Sequence, residues 1–433
     1  MFDPRAEAMS ADERAALQQQ RLRNLVDRLL AVDGVQGRRL RAAGIDSGAA
    51  VSLDDLPALP TTAKTDLWEH YPFGLLAVAR EDIVAVHGSS GTGGRPTLVG
   101  YTRADLELWG DVVARSLGCA GAQPGTIVHN AYGYGLFTGG VGFHLGGIRM
   151  GATVVPMSGG MTQRQLTLIA DLRPSVLTCT PSYAVTLGEA AAASGTDVSS
   201  LRAGIFGAEP WSEAMRAQIE SVLPLKALDV YGLSEVIGPG VATECIEAQS
   251  GLHVNEDHFL VECIDPSTGS PVADGDPGEL VFTTPTKEAL PLLRYRSGDI
   301  ASLTRGTCVC GRTLVRMSKV LGRRDDMLVV RGVNVYPSEV ESVLLAHDGL
   351  APHYQLVVDR RAAVAELIVC CEAAGDAGDA ERHRAEITYG LHERLGLRAD
   401  VRVLSPGTIP RQEVGKAVRV VTWTDGEPPI PGL

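Results

Sequence analysis

Short β-prone runs alternate with helical stretches through the middle of the chain. Thr126-Ile-Val-His129, Thr153-Val-Val-Pro156, Ser175-Val-Leu-Thr178, Ala203-Gly-Ile-Phe206 and Ala227-Leu-Asp-Val230 are separated by segments such as 162–172 and 211–223, whose apolar residues recur at helical spacing. That alternation predicts a doubly wound α/β sheet, with ligands at the carboxyl ends of its strands. Ahead of it, residues 4–43 carry Leu22, Leu25, Val26, Leu29 and Leu30 on one helical stripe. Pro57, Pro60 and the Thr61-Thr62 pair interrupt the stripe and predict a turn and helix N-cap before Asp66-Leu-Trp68. Residues 102–117 read as a helix capped by Thr102 with Asp105 in its first turn. An apolar run, Ile83-Val-Ala-Val86, precedes it, so strand, loop and helix are expected in succession.

Beyond Gly251 the pattern becomes hairpin-like. His258-Phe-Leu-Val-Glu-Cys-Ile264, the turn Asp265-Pro-Ser-Thr-Gly-Ser270 and Gly278-Glu-Leu-Val-Phe-Thr-Thr284 predict a β subdomain. A charged break, Gly322-Arg-Arg-Asp-Asp326, comes before a strand at 327–330, a helix at 337–346 and strands at 355–358 and 366–370. Two domains follow, 1–324 and a smaller α+β domain at 325–433.

Composition narrows the function. The chain has 433 residues, 45% of them hydrophobic and 21% charged, and no apolar run approaches the ~20 residues of a membrane span. Its N-terminus lacks the basic start and apolar stretch of a signal peptide, so a cytoplasmic protein is expected. A net charge of −13 with no basic stripe argues against a nucleic-acid partner, while leaving a nucleotide open. Of eight cysteines, Cys119, Cys179, Cys263, Cys370 and Cys371 lie in apolar segments and read as core. Cys245, Cys308 and Cys310 lie among polar and turn residues with His253. Three thiolates and an imidazole are the ligand set of a closed tetrahedral Zn²⁺ site, with buried thiols as the alternative.

The run Gly88-Ser-Ser-Gly-Thr-Gly-Gly-Arg-Pro-Thr97 has the composition of a phosphate cradle, since glycines admit phosphate oxygens to backbone N–H groups and hydroxyls complete the shell. It lacks P-loop spacing, because Gly94 stands where lysine would follow Gly93. Further loops share its theme: Gly207-Ala-Glu-Pro210, Asp229-Val-Tyr-Gly-Leu-Ser-Glu235, Tyr295-Arg-Ser-Gly-Asp299, Gly322 to Asp326, and Pro410-Arg-Gln-Glu-Val-Gly-Lys416.

In this order the motifs resemble the AMP-forming acyl-CoA synthetase, or adenylate-forming, superfamily. Tyr71-Pro-Phe-Gly-Leu-Leu-Ala-Val78, Tyr132-Gly-Tyr-Gly-Leu-Phe-Thr-Gly-Gly140, Ser158-Gly-Gly160 and Arg331-Gly-Val-Asn-Val-Tyr-Pro-Ser-Glu339 look most like its phenylacetate-CoA ligase branch. The resemblance implies a large N-terminal adenylation domain and a mobile C-terminal domain that carries a catalytic lysine. It also implies ATP-dependent activation of an aromatic carboxylic acid to an acyl-adenylate, then thioester formation with coenzyme A. Loading of a carrier protein's phosphopantetheine is the alternative, and a non-enzymatic nucleotide-binding module a third reading. A homodimer stays open.

By the same resemblance, Ser89, Ser90, Gly91, Thr92, Gly93 and Arg95 hold ATP phosphates, with Gly93 and Arg95 replacing the family's Thr and Lys. Gly207, Ala208, Glu209, Pro210, Asp229, Tyr231, Gly232 and Ser234 surround the nucleotide, and Glu235 binds Mg²⁺. Asp299 accepts the ribose hydroxyls, Arg323 contacts ribose or phosphate, Asp325 is the hinge, and Lys416 is the catalytic lysine. Tyr132, Tyr134, Phe137, Ala208, Ile237, Gly238 and Pro239 form the acyl pocket, with core packing as the alternative for the apolar ones.

Overall fold

The computed structural model describes residues 1–32, 34–89, 96–324, 328–330, 333–361, 366–375, 380–397, 399–411, 417–431 and 433. Ser90, Gly91, Thr92, Gly93, Arg95, Asp325 and Lys416 therefore lie outside the described residues.

The expected alternating segment forms the parallel half of a nine-stranded sheet. Thr153–Pro156, Ile127–Asn130, Val176–Cys179, Ala203–Gly207 and Lys226–Leu233 run parallel in that order. Period-2 alternation lets each strand serve two cores. Val176, Ile205 and Leu228 join Trp109, Val112 and Phe143 of the helices Arg103–Cys119 and Thr138–Met150. Leu177, Phe206 and Ala227 join Leu166, Leu187 and Ile219 of the helices Thr162–Leu172, Pro181–Ser194 and Glu213–Val222.

After Lys226–Leu233 the direction reverses. Gly238–Thr243 pairs antiparallel to it, with a register shift between Tyr231 and Gly232. Gly232 is required there, because a Cβ would lie 1.9 Å from the Gly238 carbonyl oxygen. Leu252–Val254, Arg316–Met317 and Leu303–Thr304 extend this sheet rather than the separate β layer. That layer is the antiparallel set Leu260–Ile264, Gly278–Thr283, Tyr295–Ala301 and Gly322–Arg323.

Two local expectations change. Between the glycine-rich run and the helix at Arg103 lies another strand, Thr97–Tyr101, paired antiparallel with Ala85–Ser89 from Ala85↔Tyr101 to Ser89↔Thr97. The run therefore joins the strands of a hairpin. Thr97-Leu-Val-Gly-Tyr101 has the pleated pattern, and Thr97, Val99 and Tyr101 are buried. Near residue 62, the helix Lys64–Glu69 is capped at Ala63, whose N–H donates to Asp66 Oδ2 at 2.8 Å. Thr62 is instead buried, donating its hydroxyl to the Leu293 carbonyl at 2.8 Å.

The N-terminal stripe forms the helices Pro4–Glu7, Ala11–Ala31 and Val35–Ala42, and Leu22, Leu25, Val26 and Leu29 pack with Leu260 and Leu293 of the β layer. At the other end, Asp400–Leu404, Glu366–Ala373, Leu350–Asp359 and Val420–Trp423 make a four-stranded mixed sheet under the helices Pro337–Leu345 and Ala380–Leu395. Its own core unites Val340, Leu344, Leu356, Val369, Ile387 and Leu391. No described helix is long and apolar enough to cross a membrane.

Thr102 and Asp105 form the reciprocal cap expected of them. Asp105 also accepts from the Glu288 and Ala289 N–H groups at 2.6 and 2.9 Å, and is fully buried. One carboxylate thus fixes a helix start to the turn that follows Gly278–Thr283. Replacing it with Ala strands several buried donors, at about 1–3 kcal/mol each. D105A should lower the unfolding free energy by about 3 kcal/mol or more in urea titrations, with D105N losing less.

Candidate functional site

At the carboxyl end of Lys226–Leu233 the chain turns into Ser234 and Glu235, both buried. A buried carboxylate needs compensation. Glu235 Oε1 accepts the Ser89 hydroxyl at 3.0 Å and lies 3.3 Å from Lys64 Nζ. The Glu235 carbonyl accepts from Lys287 Nζ at 3.0 Å. Lys287 is wholly buried, with its ammonium 4.9 Å from the centre of the Tyr101 ring. Burial pulls its pKa down to about 8, against the opposing pull of Asp105 and Glu235. Ser89, at the start of the glycine-rich run, therefore meets Glu235, at the end of the Asp229–Glu235 motif. Lys64 and Lys287 were not singled out from the sequence. Lys64 sits beside the Thr61-Thr62 turn, a signal that a cation enters near there; Lys287 has no such mark.

A second group forms where the β layer meets the sheet. Asp299 and Arg323 are register partners on adjacent antiparallel strands, with Nη1 3.4 Å from Oδ1. Tyr231 donates its hydroxyl to Asp299 Oδ2 at 2.6 Å, and its ring stacks on Phe282 at 5.8 Å. Burial, with the Asp299 charge adding to it, raises the Tyr231 pKa well above the usual phenol value, so it remains a donor. Asp229 is buried nearby in the strand, and its N–H donates to Glu244 Oε2 at 2.8 Å. Burial pushes its carboxyl far above the ordinary range; Lys319 opposes this and Glu244 reinforces it.

The loop after Ala203–Gly207 joins the two domains. Ala208 has φ +72°, a left-handed conformation that costs a non-glycine residue about 1 kcal/mol. Both Ala208 and Pro210 are exposed. Glu209 accepts from the Ser182 N–H at 2.9 Å and from the Ala417 N–H at 2.7 Å. Its carboxylate is thus committed to the start of the helix Pro181–Ser194 and to the residue after Lys416. Close by, Ser212 N–H donates to Glu341 Oε1 at 2.8 Å, and His353 Nε2 lies 3.1 Å from Glu189 Oε1.

The suggested acyl residues divide. Ile237 and Gly238 are buried, and Trp109 donates its indole N–H to the Pro239 carbonyl at 3.1 Å. Trp109 stacks on Tyr101 at 5.1 Å, with His87 edge-on to both. This aromatic cluster was not visible in the sequence, because its members are spread over Ala85–Ser89, Thr97–Tyr101 and Arg103–Cys119. Tyr132 is buried and stacked on Phe143 at 5.3 Å. Tyr134 is half-buried, and its hydroxyl accepts from Asn130 Nδ2 at 2.8 Å. Phe137 stands apart, 58% exposed, because the buried side of the helix Thr138–Met150 begins only at Thr138.

Cys245, His253, Cys308 and Cys310 do converge, each offering a ligand atom within 4.8 Å of the others. Cys245 and Cys308 sulfurs are 3.8 Å apart, and Cys310 Sγ is 3.5 Å from His253 Nε2. Tetrahedral bonds of about 2.3 Å to sulfur and 2.0–2.1 Å to nitrogen space such ligands about 3.8 and 3.6 Å apart. Cys119, read as core, is indeed buried and packs against this cluster.

Comparison with known proteins gives this geometry a family. Residues 18–287 match the AMP-binding enzyme family, and residues 332–422 the AMP-binding enzyme C-terminal domain. Over 97% of its length the chain is 49% identical to phenylacetate-coenzyme A ligase of Thermus thermophilus and 47% identical to that of Escherichia coli, covering 99% and 97% of those proteins. In structure it is similar to 2-hydroxyisobutyryl-CoA ligase in the postadenylation state with R3-HIB-AMP, at TM-score 0.90 and 30% identity, covering 97% of this chain and 91% of that one. Against the same ligase in the thioesterification state the TM-score is 0.72. The chain belongs to the AMP-binding, adenylate-forming enzyme family, on its phenylacetate-coenzyme A ligase branch, and is an AMP-forming acid–coenzyme A ligase.

Proposed function

We propose that the acid is phenylacetate or a close aryl analogue, and that the residues gathered around Glu235 and Asp299 carry its activation. The observation with most weight is the near-complete alignment with ligases of that name, joined to the contact of Ser89 with Glu235. In the first half-reaction a carboxylate oxygen of the acid attacks the α-phosphorus of ATP and pyrophosphate leaves. In the second, the coenzyme A sulfur attacks the acyl carbon and AMP leaves. Each half-reaction depends on positioning and charge compensation.

Glu235 would hold Mg²⁺, which when bound neutralises charge on the phosphates. Ser89 and the glycine-rich run hold the β- and γ-phosphates, and Asp299 with Arg323 takes the ribose. His87, Tyr101 and Trp109, with Ile237 and Pro239, would back a slot for a flat ring. Lys64 and Lys287 are positioning residues: each fixes one part of Glu235, side chain or carbonyl.

Lys416 is assigned to the adenylation half-reaction. Its neighbour Ala417 is docked by Glu209, and the likeness to the postadenylation rather than the thioesterification state supports the same placement of the small domain. Residues 1–324 and 325–433 would then move as units about Asp325, breaking the Glu209 and Glu341 contacts before thiol attack.

The Cys245, His253, Cys308 and Cys310 cluster fits Zn²⁺ by its ligand set and spacings, tying the strand pair Leu303–Thr304 and Arg316–Met317 to the sheet edge.

Phenylacetate should drive ATP–pyrophosphate exchange above fatty and hydroxy acids; a panel in which it is inert would refute the substrate assignment. K416A should slow exchange by about a hundredfold or more, yet leave thioester formation from synthetic phenylacetyl-adenylate within a few-fold. Elemental analysis of protein purified without chelator should find one tightly held zinc per chain, absent in C308S. For Lys287, an unfolded lysine keeps its proton to about pH 10.4. Between pH 8 and that value the unfolded chain binds more protons, so stability rises with pH. Relative to K287M, the wild type should gain stability over that range in urea unfolding.

A further inference from the structure

The small domain holds a second cluster of ligand-type side chains. His347 follows the helix Pro337–Leu345, while His383 and Glu386 lie three residues apart on the helix Ala380–Leu395 and so share one face. One nitrogen from each ring and one carboxylate oxygen lie within 4.8 Å of one another. His347 Nε2 is 2.6 Å from Glu386 Oε2. The imidazole centres are 5.0 Å apart and the planes cross at 81°, so the rings meet edge to face rather than stacking. His383 is 9% exposed, and the Nδ1 atoms of both histidines are buried without a hydrogen-bond partner among the described residues. Gly349, at φ +97°, admits the His383 ring; a Cβ there would lie 2.7 Å from Cε1. An ion pair between His347 and Glu386 accounts for only one of these imidazoles.

We propose that His347, His383 and Glu386 form a divalent transition-metal site of the Zn²⁺ type, with a fourth position for water. Two imidazoles and one carboxylate suit Zn²⁺, Co²⁺ or Ni²⁺. Ligands about 2.0–2.1 Å from such an ion sit about 3.3 Å apart, so the Glu386 carboxylate must back away from its present hydrogen bond. It is half exposed and has room to do so. The competing cation is Arg382, whose Nε is 3.7 Å from Glu386 Oε1; both groups are largely in solvent, where the contact is screened and weak. An ion held here ties the helix Ala380–Leu395 to the turn after Pro337–Leu345. The site shares no residue with the cysteine cluster and stands whether or not that cluster holds zinc.

The test is a Co²⁺ titration of the full chain, followed by displacement with Zn²⁺. The wild type should take up one exchangeable equivalent whose visible d–d absorption lacks thiolate charge transfer, and Zn²⁺ should abolish that signal. E386Q alters only a half-exposed side chain and should fold normally, yet bind Co²⁺ at this site at least about tenfold more weakly. H347A should behave likewise, while C308S should keep the equivalent. Equal uptake by wild type and E386Q, or a spectrum carrying thiolate charge transfer alone, would overturn the proposal.

Discussion

A carboxylate buried at the end of the central strand governs how the large domain is assembled. Glu235 is 3% exposed, and its charge can be kept there only with compensating groups nearby. Those groups come from three separate stretches: Lys64 from the helix after the N-terminal layer, Ser89 from the hairpin, and Lys287 from the connection between two strands of the β layer, Gly278–Thr283 and Tyr295–Ala301. Asp105 holds that same connection through two backbone N–H groups. Demand for charge compensation at one point thus links the N-terminal layer, the hairpin and the β layer to the sheet.

What could be read from the sequence follows the range of the interactions. The parallel strands were legible because each carries its pattern within four or five residues, and caps such as Thr102 with Asp105 are equally local. Thr97–Tyr101 was missed since a five-residue run beside glycines reads as the end of a loop. Lys287 was missed for another reason: its meaning comes from burial against Tyr101 and Glu235, and a lone lysine is ordinarily a surface charge. The cysteine cluster was legible from its chemistry, although three of its members are buried and the strand pairing that gathers them was not foreseen. Phe137 shows the converse, an aromatic in a suggestive loop that the helix start leaves in solvent.

Among the described residues the two domains meet through polar contacts and through Leu345, which packs against the core that the helices Pro181–Ser194 and Glu213–Val222 share with the sheet. Glu209 and Glu341 each reach across to a backbone N–H, and His353 meets Glu189 at the other side of the helix Pro181–Ser194. Polar contacts of this kind can be exchanged for contacts with water at little net free energy.

The choice of main-chain partners has a consequence for how such an enzyme diverges. Glu209 recognises the amide of Ala417, and Glu341 the amide of Ser212; neither bond involves the side chain of the donor. Any residue but proline at 417 or 212 presents the same N–H. The seam between the domains can therefore accept substitutions on its donor side, and small domains from relatives could be grafted onto this large domain provided they carry a carboxylate in the place of Glu341 and a residue other than proline in that of Ala417. Fidelity of the seam is written in backbone geometry, which drifts more slowly than side-chain identity.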